Sequence, residues 1–222
     1  MSVAATSMPR RVVLLRHGVT THNARGLWQG HLNTPLSPTG LDQARRVAPV
    51  LAGYGLAGIW ASDLDRASRT ARIVADHADM SVTVDARLRE IGVGHWQGRD
   101  AADVEKASPG VLARLAAGED VRRGGHGETV AEVVRRARPS LDEVIATLHP
   151  GQTALVVTHG VCARALAADL VGMDQRTAWL CLSGLGNCHW GELVHVGDRW
   201  RIAVWNGQVD RPGPPTRPAH GY

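Results

Sequence analysis

Two apolar runs in this chain end abruptly in the same dipeptide. They are Val12-Val13-Leu14-Leu15-Arg16-His17-Gly18 near the start and Leu155-Val156-Val157-Thr158-His159-Gly160 far downstream. Short runs rich in β-branched residues and bounded by glycine read as strands buried on both faces. Strands of that kind belong to a parallel sheet, which brings the last residue of every strand to one edge, where ligands bind. If the two strands are neighbours, His17 and His159 converge at one rim with Arg16 beside them. Two imidazoles and a guanidinium suit chemistry on an anion, most simply a phosphoryl group.

With 222 residues, 44% of them hydrophobic and 21% charged, the chain can bury one large α/β core. The net charge is +4, and Lys106 is the single lysine among 25 basic residues, a bias that reads as compositional rather than functional. No dense basic run with interleaved aromatics appears, so nucleic-acid binding has no support. Cys162, Cys181 and Cys188 make an odd count with no C-x-x-C pair. That pattern points to free thiols in a reducing compartment rather than a disulfide framework or a zinc site. No apolar stretch reaches membrane-spanning length, and the leading residues lack the apolar centre of a secretion signal. The expectation is a cytoplasmic protein with a flexible N-terminus over 1–10, one domain over 11–210 and a disordered Pro/Gly-rich tail over 211–222.

Along the chain, residues 12–15 form the first strand, and a long polar loop follows from 18 to 36, a length at which loops are often functional. Thr39, with Asp42 three residues on, predicts a capped helix over 40–52, kinked or shortened by Pro49. A strand near 58–61 precedes a helix that Asp65 would cap and that runs to about 79. A brief strand at 82–84, loop over 89–98, and short helices at 101–107 and 110–117 come next. A long helix over 129–148 contains Pro139, the second His-Gly strand follows, and a helix over 161–171 succeeds it. Runs at 189–196 and 199–206 flank Gly197-Asp198, a two-residue hairpin signal. Strands alternating with helices predict a three-layer α/β sandwich around a mostly parallel sheet, with the hairpin adding antiparallel strands at one edge.

The candidate chemistry centres on Arg16-His17-Gly18. Gly18 lets the chain turn away directly after the strand and lets a ligand approach the main chain. A neutral, oriented histidine there can act as a nucleophile. Phosphoryl transfer asks mainly for positive charge around the equatorial oxygens and an acid for the leaving oxygen. Arg66, in the first turn of the helix after the second strand, can point over the same rim; composition alone favours a surface arginine paired with Asp63. Glu90 stands where the third strand gives way to loop, though by residue type an exposed glutamate paired with Arg87 or Arg89 is the commoner outcome. There is no phosphate-binding G-x-x-x-x-G-K-[ST] loop, no cysteine-phosphatase loop around Cys162, no G-x-S-x-G elbow, and no H-x-x-x-H or H-x-H pair for a metal.

Taken in order, these residues resemble a known family. Arg16-His17-Gly18 with Thr20 and Asn23, then Gln29-Gly30 and Leu36-Ser37 with Gly40, is similar to the opening signature of the histidine phosphatase superfamily, in its phosphoglycerate-mutase-like branch. Ser62-Asp63-Leu64 with Arg66-Ala67 and Thr70-Ala71 looks like the second block. Leu88-Arg89-Glu90 with Trp96-Gln97-Gly98 looks like the third, and Gly127-Glu128-Thr129 and Thr158-His159-Gly160 complete the series. The resemblance covers nearly the whole chain to about Asn206. It implies His17 as the phosphorylated nucleophile, with Arg16, Arg66 and His159 clamping the phosphoryl group and Asn23 and the Gly160 amide as further donors. Glu90 would be the proton donor, Gln29 and Gly30 would line the substrate side, and no metal or other cofactor is implied.

Mutases of this family usually carry glutamate after the first His-Gly, where this chain has Val19, and a longer insertion than the one here. The reading is therefore a phosphatase. A phosphoglycerate mutase, or a non-catalytic partner-binding domain on the same fold, are the alternatives. Leu185-Gly186-Asn187-Cys188-His189-Trp190 and Trp200–Asn206 look most like members acting on small phosphorylated sugar acids such as glucosyl-3-phosphoglycerate, with Asn187 reaching the pocket. Arg122-Arg123 are read as groups that could contact an acidic substrate. The family often forms dimers, and a hairpin edge offers a surface for a homodimer.

Overall fold

A computed structural model describes residues 8–209. The expected tail, and residues 1–7 of the expected flexible N-terminus, lie outside that range. Six strands form one sheet in the order β3-β2-β4-β1-β5-β6. They are β1 (Arg11–Arg16), β2 (Leu56–Ala61), β3 (Val82–Val84), β4 (Thr153–Thr158), β5 (Trp190–Val196) and β6 (Arg199–Gly207). The first four are parallel, and the β5–β6 hairpin runs antiparallel against β1.

Alternation along β1 and β4 builds the three layers. Val12, Leu14, Ala154 and Val156 face one core cluster, while Val13, Leu15, Leu155 and Val157 face another. The second cluster is closed by α2 (Pro38–Ala52) and α3 (Asp65–Ala78), which contribute Val47, Leu51, Ala71 and Val74. The first is closed chiefly by α6 (Val130–Ala146) and α7 (Gly160–Leu170), with α4 (Ala101–Ala107) and α5 (Val111–Ala116) at its flank. All of these side chains are removed from water, each such burial worth roughly 1.5–3 kcal/mol for a Val or Leu.

Several local expectations are corrected. Ser37, not Thr39, caps α2: its hydroxyl accepts from Gly40 N, and Pro38 takes the first helical position, where a missing N–H costs nothing. Leu64 occupies the cap position of α3 without a side-chain bond, so Asp65 lies inside the first turn. Pro49 does not shorten α2, and Pro139 sits within α6. In both cases the proline and the residue four earlier (Arg45, Arg135) are exposed, so the carbonyl left unpaired lies on the wetted side of the helix. The loop from 18 to 36 holds a helical turn, α1 (Thr21–Ala24), fixed by a reciprocal capping box between Thr20 and Asn23. A further helix, α8 (Gln175–Cys181), occupies a stretch with no expected element.

Candidate active site

Register decides where the two histidines meet. β1 and β4 pair with Arg16 opposite Thr158, so the next residue of each strand leaves the sheet at the same height. His17 and His159 stand side by side, ring centroids 5.1 Å apart and planes at 62°. The antiparallel β5 begins at this same rim, because Leu15 pairs with Trp190. The chain entering β5 therefore carries Asn187 to His17, where its amide donates to the His17 carbonyl at 2.9 Å and to Asn23 Oδ1 at 3.3 Å.

His17 is 3% exposed, and its Nδ1 lies 2.7 Å from the Gly18 carbonyl. A carbonyl can only accept, so Nδ1 carries the proton and Nε2 keeps its lone pair. Burial first, then the Arg66 and Arg16 charges, hold this imidazole well below its ordinary pKa. His159 is depressed in the same way by burial, then by Arg66, His17, Arg16 and Arg136. Its Nε2 meets Ser62 Oγ at 2.9 Å, a contact made possible because β2 ends beside β4.

Arg66 is 1% exposed and reaches back from the first turn of α3. Its terminal nitrogens donate to the carbonyls of Leu32 (2.7 Å) and Gly30 (2.8 Å). Gly30 has φ +52, and a Cβ there would come within 2.7 Å of Val93 Cγ2, so glycine is required for this carbonyl to face Arg66. Burial pushes the Arg66 guanidinium down to about 10, with Glu90 opposing and Arg16 adding to the shift. Arg16 donates to the Leu185 carbonyl at 2.5 Å, and a Cβ on Gly160 would sit 3.6 Å from its Nε. Arg16 Nε, Arg66 Nε and His159 Nδ1 are buried nitrogens with no hydrogen-bond partner among the described residues. Buried polar nitrogens left unpaired are costly, which makes these three candidates to meet an anion.

Glu90 is placed by α7. The N-cap residue of that helix, His159, makes no side-chain cap. The Glu90 carboxylate takes that role from a distance, accepting from Val161 N (3.2 Å) and Cys162 N (3.1 Å), and also from Ile91 N (2.9 Å). The pairings that composition favoured go elsewhere: Asp63 binds Arg89, and Arg87 binds Asp85 and Glu143. Thr20 Oγ1 lies 2.9 Å from Gln29 Oε1, which joins Gln29 to the Asn23 cap.

Arg122 and Arg123 do not act as a pair. Arg122 is exposed and tied to Glu132 and the Gly127 carbonyl. Arg123 is buried, bonded to the Val121 carbonyl and packed over Trp179. Sequence reasoning missed Arg136, which donates to the carbonyls of Arg87, Arg89 and Glu90 and pairs with Glu128. It also missed the support that Thr70 gives to Gly18 N and Thr158 to the Leu88 carbonyl. These are long-range contacts; the only linear signal was that Thr70 and Thr158 lie inside blocks already singled out, and Arg136 lies in none.

A single sheet layered by helices on both faces, whose rim holds a neutral histidine pair, two guanidiniums and a carboxylate, defines an enzyme of phosphoester chemistry, a histidine-type phosphoric monoester hydrolase. The chain belongs to the histidine phosphatase superfamily, branch 1, whose family model matches residues 12–208. It is 39% identical over 218 residues to glucosyl-3-phosphoglycerate phosphatase of Mycolicibacterium vanbaalenii, covering 90% of this chain and 96% of that protein. The structure of a mycobacterial glucosyl-3-phosphoglycerate phosphatase complexed with VO3 superposes with a TM-score of 0.83 at 37% identity, covering 90% of this chain and 100% of the other. The alpha-ribazole phosphatase of Shigella flexneri gives 0.77 at 26% identity, covering 89% and 96%.

Proposed function

We propose that this protein hydrolyses a small phosphorylated sugar acid, of the glucosyl-3-phosphoglycerate type, through a phosphohistidine on His17, with residues 11–210 as its catalytic domain. The observation that carries the reading is the buried His17 ring, with Nδ1 committed to Gly18 O and Nε2 free beside Arg16, Arg66 and His159. The lone pair of Nε2 attacks phosphorus in line, and the ester C–O–P link breaks at the P–O bond. Arg16, Arg66 and His159 meet the charge on the equatorial oxygens. Glu90 gives its proton to the departing alkoxide. It then takes a proton from water as that water attacks phosphorus, the N–P bond breaks, and inorganic phosphate leaves.

Hydrolysis rather than transfer to a second hydroxyl is supported by Val19, where mutases of the family usually carry glutamate. Among the described residues no three His, Cys, Asp or Glu side chains form a set that could hold a metal ion, and no helix is long and apolar enough to cross a membrane. The unpaired cysteines fit work in the reducing cytoplasm. The outer edge of β6, with no strand beside it among the described residues, is where a second copy would add to form a homodimer.

Rapid quenching in alkaline denaturant after mixing with phosphorus-32-labelled substrate tests the mechanism. The expected product is an acid-labile, base-stable label on the chain that is absent from His17→Asn. Full turnover by His17→Ala would overturn it. Measuring free phosphate against isomerised phosphoglycerate separates a phosphatase from a mutase.

A further inference from the structure

Resting on that phosphatase reading, we infer that Arg164 is the residue that selects for a carboxylate on the substrate, one helical turn away from the phosphoryl clamp. Arg164 lies on α7 four residues after Gly160, hence on the same helix face. That face is turned toward the reacting groups, since a Cβ on Gly160 would point at the Arg16 guanidinium, 3.6 Å from its Nε. Side chains on a helix lean toward its N-terminus, so Arg164 leans back toward the rim. One short segment ties the two arginines together: Arg16 donates to the Leu185 carbonyl and Arg164 to the Leu182 carbonyl, 3.3 Å away.

The guanidinium of Arg164 lies over the Trp179 ring, its Cζ 3.7 Å from the centroid. Stacking uses the face of the guanidinium and leaves most of its in-plane N–H donors unengaged. No carboxylate among the described residues pairs with it, unlike Arg87, Arg89, Arg122, Arg136 and Arg138. Arg123, also over Trp179, is buried and bonded to the chain, so it backs the ring rather than facing solvent. Partial burial brings Arg164 down to about 10, which leaves it charged at neutral pH, and the Glu90 carboxylate is close enough to bias it upward. A single planar fork suits a monoanion. A carboxylate accepts from it in bidentate fashion, whereas the dianionic phosphoryl group is served by the two guanidiniums and two imidazoles of the rim.

The test compares 3-phosphoglycerate with glycerol 3-phosphate, which differ only in replacing the carboxylate by a hydroxymethyl group. The wild-type kcat/KM ratio should favour the acid by roughly 10- to 100-fold, the range of a hydrogen bond to a charged group. Arg164→Gln should bring the ratio close to one through KM for the acid, and Arg164→Lys should restore part of it. The ester without the carboxylate, measured on the same preparation, reports whether each variant is folded. A ratio unchanged in Arg164→Gln, or parallel losses on both esters, would overturn the inference. If wild-type protein turns over p-nitrophenyl phosphate but shows no preference for the acid, the phosphatase reading stands and the carboxylate site falls. If it hydrolyses none of the three, both fall.

Discussion

The rings of His17 and His159 meet edge to face, 5.1 Å apart; burial first, and Arg66 next, hold both of them below the ordinary imidazole range. Two imidazoles in that setting are neutral. Below about pH 6.5 the unfolded chain binds two protons that the folded chain refuses, so stability falls as pH falls. The slope from this pair approaches about 2.7 kcal/mol per pH unit until the depressed folded pKa values are reached. Urea denaturation between about pH 6.5 and 5 should show it, and His159→Asn should roughly halve it. Imidazole nitrogen NMR near pH 6 should find both rings neutral; a ring titrating near its ordinary value at either position would contradict the arrangement.

Gly40 faces the start of the loop that leaves β1. A Cβ on Gly40 would come within 2.0 Å of the Val19 carbonyl, and one on Gly18 within 2.5 Å of the Gly40 carbonyl. Both obstacles are backbone, which cannot swing aside as a side chain would. Gly40→Ala should cost about 2–3 kcal/mol and lower kcat, because the displaced segment is the one that orients His17. Chemical denaturation and steady-state kinetics on the same sample would check both effects.

Asn187 holds the His17 carbonyl and the Asn23 side chain together. Removing it by Asn187→Ala deletes positioning bonds without touching the core. A fall of about tenfold in kcat/KM for p-nitrophenyl phosphate is expected. Unchanged kinetics would show that β1 and its register alone position the ring.

Arg136 and Arg87 make similar-looking ion pairs in different surroundings. Arg136 is largely buried; that burial works against its charge, but the Glu128 bonds and charge outweigh it, and its pKa is raised. Arg136→Met strands Glu128 and three carbonyls and should destabilise by about 3 kcal/mol, with loss of activity as the Glu90 backbone loosens. Glu143→Ala removes the exposed partner of Arg87 and should leave the denaturation midpoint where it was. Thermal or urea melts of the two variants side by side would decide the contrast.

Hydrophobic patterning was legible where burial is continuous. The β1 and β4 runs, the hairpin around Gly197-Asp198 and the apolar stripe of α6 all follow from side chains that must leave water whatever their neighbours. Helix starts were less legible, since several residues near each start can cap and only one reaches the right backbone N–H: Ser37 rather than Thr39, and no side chain at all for α3. α8 was invisible because Gln175–Cys181 buries little besides Ala178 and owes its place to packing on α7.

The sequence by itself determined that two histidines would end buried strands, and five ordered blocks of residues carried the family. Only the tertiary structure decided that those histidines share a rim, because the pairing of Arg16 with Thr158 is a register between strands some 140 residues apart in the chain. The same holds for Arg66 and Glu90, which composition assigned to surface pairs. Asp63 is taken by Arg89, and the first turn of α7 supplies Glu90 with its partners. Local sequence fixes which groups must be buried or satisfied, and the assembled fold fixes which partner satisfies each of them.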